Sequence, residues 1–396
     1  MTKSVHCPYR QAALLQQALA PDKMRVAFLL GAGCPVSVRV VDGASNTPLI
    51  PDIKGLTDKV KAALESDSVS KPHFDQLIAR FGADYHTIED ILSEIRALQN
   101  VVRNGQIDGL DQAALSTLDA KICKLTTDEV GVDLPEPDTP YHRFAMWVGG
   151  IQRTYPVEIF TPNYDTLVEQ ALEARRIPYF DGFVGSKEAF FDLTSMENDK
   201  LPARWSRLWK VHGSINWWRT ASEDVVRREK GGTGDRQMIY PSHLKYDQSR
   251  RMPYLAMLDR MRDFLSRGQA VLVTCGYSFA DQHLNEIITH GLRSNPTAIC
   301  FGLLFGERSQ YAAAFATARK HPNLSLLAED GAILGTAECD WRADEKTDDF
   351  MHDIGVVKNS GDTNCRFVLG DFKKFGDFLT RQIVRHGVDE DHPDGA

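Results

Sequence analysis

Six short apolar runs are the feature that most constrains how this chain can fold. The first run covers residues 24–30 and ends directly at Gly31, Ala32 and Gly33. The others lie at residues 157–160, 208–211, 270–275, 298–304 and 324–327. Continuous apolar runs of this length are typical of parallel strands that are buried on both faces. Because helical patterns follow several of them, the sequence predicts an α/β fold with a doubly wound, Rossmann-like parallel sheet.

The stretch between the first two runs predicts a helical module inserted into the sheet domain. Its clearest helix begins with the capping signature of Thr87 and Asp90 and keeps helical apolar spacing through Leu98. A second helix is predicted around residues 115–125, and a third begins at Pro140. A final amphipathic helix over 371–386 follows a polar segment and precedes an acidic tail. We therefore expect three parts: a sheet domain at 20–50 and 150–335, the helical module at 51–149, and a C-terminal part at 336–396.

Composition excludes several classes of protein. The chain has 396 residues, a formal net charge of -8 and a pI near 5.9, which disfavours direct binding to nucleic acid. Its N-terminus lacks a secretory signal, and no apolar run is long enough for a membrane span. The seven cysteines are scattered and form no C-x-x-C pair, which predicts a cytoplasmic protein without a structural zinc or other metal site.

The glycine turn after the first run is the first candidate for chemistry. In GAGCPVS, residues 31–37, glycine allows close approach to a phosphate, and a following helix would present N–H groups to it. Ser37 is either a phosphate donor or a helix cap, and Cys34 is a packing residue rather than a nucleophile. A tight structural turn would have the same sequence, so the motif alone leaves both interpretations open.

Three further motifs follow later apolar runs, and each has a structural alternative. Asn163 and Asp165 lie in TPNYDTL, directly after Thr161, where Asp165 could merely cap a helix. His212 lies in KVHGSINWW and is a candidate general base, although a lone histidine is more often structural. In the loop at 276–281, a glycine turn with a capping aspartate is the alternative to ligand contacts by Gly276, Ser278 and Asp281.

In this order, the four motifs resemble the sirtuin family: GAG with a downstream serine, T-x-N-x-D, H-G and G-x-S. The resemblance covers roughly residues 20 to 305 and is nearest to bacterial Sir-two-like NADases of anti-phage defence. It implies that Gly31, Ala32, Gly33 and Ser37 border the phosphates of NAD. It also implies that Asn163 positions the nicotinamide ribose and a water, beside Thr161. His212 would act on that water or a ribose hydroxyl, Asp165 would shape the nicotinamide end, and Gly276, Ser278 and Asp281 would hold a ribose or the adenosine.

The resemblance also implies a function and partners. We expect NAD to be the substrate, hydrolysed to nicotinamide and ADP-ribose, with activity gated in a homo-oligomer or by a HerA-type ATPase partner. Departures from the family deacylases are the missing zinc module and Pro162 before Asn163, where those enzymes usually carry glutamine. An NAD-dependent deacylase or ADP-ribosyltransferase, and a non-catalytic sensor of NAD or ADP-ribose, remain the alternatives.

Overall fold

The computed structural model describes residues 5–20, 24–42, 45–82, 84–136, 138–150, 152–198, 200–232, 235–239, 252–343, 355–358 and 365–388. Its strands in chain order are β1 (Arg25–Leu30), β2 (Arg39–Asp42), β3 (Ser45–Pro48), β4 (Gln106–Ile107), β5 (Leu110–Asp111), β6 (Glu158–Thr161), β7 (Tyr179–Phe180), β8 (Phe183–Val184), β9 (Ala189–Phe191), β10 (Ser206–Lys210), β11 (Gly213–Arg219), β12 (Val225–Arg227), β13 (Arg236–Ile239), β14 (Ala270–Cys275), β15 (Ala298–Leu303), β16 (Leu324–Leu327), β17 (Gly331–Leu334), β18 (Ala337–Asp340), β19 (Val356–Lys358) and β20 (Cys365–Phe367). Its helices are α1 (Pro8–Ala18), α2 (Gly33–Ser37), α3 (Ile53–Ser66), α4 (Lys71–Ile78), α5 (Ile88–Val102), α6 (Gln112–Val130), α7 (Pro140–Gly150), α8 (Leu167–Ala174), α9 (Leu193–Asn198), α10 (Tyr254–Ser266), α11 (Gln282–Ser294), α12 (Ala312–Ala318) and α13 (Phe372–Val388), with a 3₁₀ turn at Arg308–Tyr311.

The central sheet has the order β18-β17-β16-β15-β14-β1-β6-β10-β7. The strands from β16 to β7 pair in parallel, and β17 and β18 add an antiparallel hairpin at one edge. From β1 the chain goes first to β6 and β10 on one side and later to β14 and β15 on the other. The predicted doubly wound α/β fold is therefore confirmed. Ligands of such sheets bind where the order reverses, which here is the carboxyl end of β1.

The apolar run of β1 is continuous because both faces of the strand are covered. Val26, Phe28 and Leu30 belong to one hydrophobic core, whereas Ala27 and Leu29 belong to a second core on the opposite face. Successive side chains of a strand alternate between its faces, so neither face can carry polar residues. This double burial holds the end of β1 rigidly in the middle of the sheet.

The helices of the insertion cover one face of the sheet. α5 begins with the predicted capping box, in which the Thr87 side chain accepts from the Asp90 amide and the Asp90 carboxylate accepts from the Thr87 amide. The buried hydrophobic residues of α3–α7 belong to the same core as the Phe28 face of β1, and Phe144 and Trp147 of α7 meet Phe28 edge-on. The bounds of the module stay a prediction.

Several elements lie outside what the sequence predicted, and two of them are near the sheet domain or its C-terminal side. A five-stranded antiparallel sheet, β13-β11-β12-β9-β8, combines two strands that precede β10 with three that follow it. A β19–β20 hairpin forms within the polar C-terminal segment. The rest of that segment, at 344–354 and 359–364, and the acidic tail from 389 lie outside the described residues. The predicted final helix is present as α13. Among the helices that the structure describes, none is long and apolar enough to cross a bilayer.

Candidate functional site

The turns that follow β1 and β14 interlock through their glycines. Gly31 N–H donates to the Cys275 carbonyl (2.9 Å), and Gly33 N–H donates to the Gly276 carbonyl (2.8 Å). Gly276 has a φ of +63°, and a Cβ on it would lie 2.5 Å from the amide nitrogen of Cys34. Only glycine combines this backbone conformation with such a close approach of two chains. The structural alternative therefore explains Gly31, Gly33 and Gly276 without a ligand, and their contacts to phosphate stay a prediction.

The helix after the glycine turn is short. α2 spans five residues, so it offers little of the helix dipole that we expected to face a phosphate. Ser37 donates from its hydroxyl to the Cys34 carbonyl (2.7 Å) and so engages the end of this helix. Ala32 and Gly33 are the exposed residues of the turn.

Cys34 is a packing residue, as its sequence context indicated. It is fully buried, and its Sγ donates to the Cys275 carbonyl at 3.2 Å. Burial raises the pKa of this thiol well above its ordinary value, which disfavours the thiolate that a nucleophile needs.

The loop after β6 reaches across to the glycine turn. The Thr161 hydroxyl donates to the Leu30 carbonyl (2.8 Å) and accepts from the backbone amide of Asn163 (3.1 Å). The Asn163 side chain then donates from Nδ2 to the Gly31 carbonyl at 3.1 Å. The structure thus brings Thr161, Asn163 and Gly31 together at the carboxyl end of β1, and Asn163 remains half-buried there.

Asp165 lies beneath this loop rather than at its surface. Its Oδ1 accepts from the Leu167 amide (3.0 Å) at the start of α8, which is the capping role that the sequence left open. Burial raises the pKa of Asp165 to about 6, against the opposing effect of the Lys210 charge. A direct role of Asp165 at the nicotinamide end stays a prediction.

A buried lysine supports the same loop, although it is not among the predicted site residues. Lys210 lies at the end of β10, and its Nζ donates to the backbone carbonyl of Asp165. The same Nζ donates to Oε1 of Glu169 at 3.1 Å. Both side chains are almost fully buried. A lysine within an apolar run, two residues before His212, was the available signal, because a buried cation requires a partner.

His212 follows β10 and meets the loop that starts at Gly276. Its Nε2 lies 3.1 Å from Oδ2 of Asp281, and both side chains are largely buried. The other carboxylate oxygen of Asp281 accepts from the Leu284 amide (3.1 Å) and caps α11. Ser278 is exposed, and its hydroxyl accepts only weakly from the Ala280 amide (3.4 Å). The structure therefore joins His212 to Asp281 and leaves Ser278 at the surface.

The four motifs consequently form one rim at the carboxyl edge of the sheet. Asn163 contacts Gly31, the glycine turn interlocks with Gly276, and the loop from Gly276 carries Asp281 to His212. This rim is rich in amide, imidazole and carboxylate groups, which suit hydrogen bonds to ribose hydroxyls and proton transfer. Within the described ranges, no three histidine, cysteine or acidic side chains are grouped to hold a metal ion.

One family model matches part of the chain. The family model "SIR2-like domain" matches residues 157–327, which is less than half of the chain. No curated protein matches the sequence. Among solved structures, a Sir2 homologue in complex with NAD is 14% identical, covering 98% of this chain and 97% of its own, with a TM-score of 0.39. A mutant Sir2 homologue in complex with ADP-ribose is 11% identical, covering 96% of this chain and 99% of its own, also with a TM-score of 0.39. Over residues 157–327, which carry Asn163, His212 and Asp281 but not the glycine turn, the chain is therefore similar to the SIR2-like domain family.

Proposed function

We propose that this chain binds NAD at the carboxyl end of β1 and hydrolyses it to nicotinamide and ADP-ribose. The contact between the Asn163 side chain and the Gly31 carbonyl carries the proposal. It joins the best candidate for orienting a ribose to the glycine turn, at the point where ligands of open α/β sheets bind. The match of residues 157–327 to the SIR2-like domain family supports an enzyme that uses NAD.

Hydrolysis breaks the bond between C1′ of the ribose and the nicotinamide nitrogen, and nicotinamide leaves as a neutral molecule. Positive charge develops on the ribose, so the site must hold the sugar and admit one water. The amide nitrogen of Asn163 is held by Gly31, which directs the amide oxygen as the acceptor for that water. His212 accepts the proton of the water as its oxygen bonds to C1′, and later releases the proton to solvent.

Activity of purified protein on NAD tests this proposal directly. We expect wild-type protein to convert NAD to nicotinamide and free ADP-ribose. We expect Asn163→Ala and His212→Ala to hydrolyse NAD about 10²- to 10⁴-fold more slowly. The control is His290→Ala, because His290 is exposed on α11. Full activity in both site variants, or NAD that stays intact under every activating condition, would contradict hydrolysis. Chromatography separates the alternatives, since a transferase or deacylase moves ADP-ribose to an acceptor and a sensor leaves NAD whole.

We further propose that the activity is gated and serves anti-phage defence by depleting NAD. Constant hydrolysis of a central cofactor would injure the host cell, so the enzyme requires a trigger. Assembly into a homo-oligomer or with a HerA-type ATPase would supply one. Mass measurement of the protein alone and mixed with such an ATPase, beside NAD consumption in each sample, tests this part. A monomer that is constantly active contradicts it.

A further inference from the structure

The contact between His212 and Asp281 spans strands that are not neighbours. His212 follows β10 and Asp281 follows β14, and the sheet places both β1 and β6 between these two strands. Three strand spacings amount to about 14 Å, yet the imidazole Nε2 lies 3.1 Å from the carboxylate. The two loops therefore lean toward each other across the carboxyl ends of β1 and β6, where Gly31 and Asn163 lie.

Asp281 is itself held firmly in place. Its Oδ1 accepts from the Leu284 amide at the start of α11, a helix of 13 residues. Leu284, Ile287 and Ile288 anchor that helix in the second hydrophobic core. A carboxylate fixed to a packed helix has one position available, so it can hold a neighbouring imidazole in one orientation.

We infer that Asp281 is a positioning residue that acts through His212, rather than a residue that binds the ribose of NAD. This inference rests on the proposed function, because it needs His212 to accept a proton. A carboxylate 3.1 Å from Nε2 limits the orientations open to the ring and stabilises the positive charge that the ring takes up when it accepts a proton. A base whose ring is oriented by a neighbouring carboxylate is the general arrangement of oriented acid–base catalysis.

The test uses two substitutions that preserve the helix cap. Serine caps a helix about as well as aspartate, but its hydroxyl is too short to cap α11 and reach His212 together. We expect Asp281→Ser to lower kcat for NAD about 10- to 100-fold with KM changed less than about twofold, as part of the 10² to 10⁴ from acid–base catalysis. Asp281→Asn keeps the cap through its one oxygen and turns an uncharged NH2 group toward His212, so we expect its kcat to fall at least as far as that of Asp281→Ser. Glu286→Gln, an exposed carboxylate on the same helix, is the control for removal of charge.

A double substitution separates positioning from binding. If Asp281 acts through His212, Asp281→Ser lowers the residual rate of His212→Ala by no more than about twofold, because coupled residues are not additive. Calorimetric binding of ADP-ribose should be equal in wild type and Asp281→Ser, with circular dichroism confirming the fold. An unchanged kcat in Asp281→Ser, a raised KM alone, or a multiplicative loss in the double variant overturns the inference. Failure of the proposed function is distinguishable, since wild-type protein would then leave NAD intact before any variant is compared, and the inference would fall with it.

Discussion

Replacement of Gly276 by alanine tests whether the interlocked glycine turns hold the site together. Gly276 has a left-handed backbone, and an added Cβ would lie 2.5 Å from the amide nitrogen of Cys34 and 2.9 Å from its Sγ. The left-handed conformation costs a non-glycine residue about 1–2 kcal/mol. Overpacking against backbone atoms costs about 1–3 kcal/mol more. We therefore expect Gly276→Ala to lower the free energy of unfolding by about 2–5 kcal/mol.

Two other glycines separate these contributions. Gly268 also has a left-handed φ, of +60°, but nothing lies within 4 Å of an added Cβ. Gly268→Ala should therefore show only the conformational cost of about 1–2 kcal/mol. Gly31 does not have a left-handed φ, yet its Cβ would lie 2.7 Å from Cα of Tyr277. Gly31→Ala should therefore show only the overpacking cost of about 1–3 kcal/mol.

Urea denaturation of the three variants beside wild type measures these differences as shifts of the midpoint. Binding of ADP-ribose by the folded variants then reports on the site. We expect Gly31→Ala and Gly276→Ala to weaken binding, and Gly268→Ala, which lies at the opposite end of β14, to leave it unchanged. Equal midpoints for Gly276→Ala and Gly268→Ala would refute the argument, because they would show that the two turns do not press on each other.

Two further predictions concern the buried charges under the loop after β6. Burial raises the pKa of Asp165 from 3.8 to about 6, so ionisation of this carboxyl lowers the stability of the fold as pH rises from about 4 to 6. We expect Asp165→Asn to be more stable than wild type at pH 7 by up to about 3 kcal/mol. Denaturation at a series of pH values should show that the difference vanishes near pH 4. Lys210→Met leaves the buried carboxylate of Glu169 without its cation and should lower the free energy of unfolding by about 3–5 kcal/mol. Lys210→Met combined with Glu169→Leu should recover most of that loss. A double variant no more stable than Lys210→Met alone would contradict the pairing.

The central strands could be predicted from the sequence because burial on both faces leaves a local mark. The runs at 270–275 and 324–327 match β14 and β16 residue for residue, and the capping box of α5 is likewise encoded within four residues. The small antiparallel sheet left no such mark. Apart from β11, its strands span four residues or fewer, and β9 and β12 vary in burial along their length. Their pairing depends on tertiary contacts that no local pattern specifies.

The same distinction applies to the candidate site. Asn163 and His212 follow recognisable strand ends, so their place at the carboxyl edge could be predicted. The short length of α2 was not predicted, although a local signal was present: the chain turns after Ser37 into the β2–β3 hairpin, where the β-branched Val40 and Val41 favour strand over helix. The meeting of His212 with Asp281 could not be predicted either, because sequence spacing does not determine how far two loops lean across a sheet.

The position of β1 explains why one rim can gather groups from four strand ends. Both faces of β1 are buried and a parallel strand pairs with it on each side, which fixes its position. The glycine turn that follows β1 therefore has a fixed position against which the neighbouring loops pack. The Asn163 side chain donates to this turn from the β6 side, and the Gly276 carbonyl accepts from it on the β14 side. Displacing the glycine turn would then move Asn163 and the loop that carries Asp281 together, and His212 would lose its partner. For this reason we expect Gly31→Ala to lower kcat as well as stability, although the atoms nearest to the added Cβ belong to Gly276 and Tyr277.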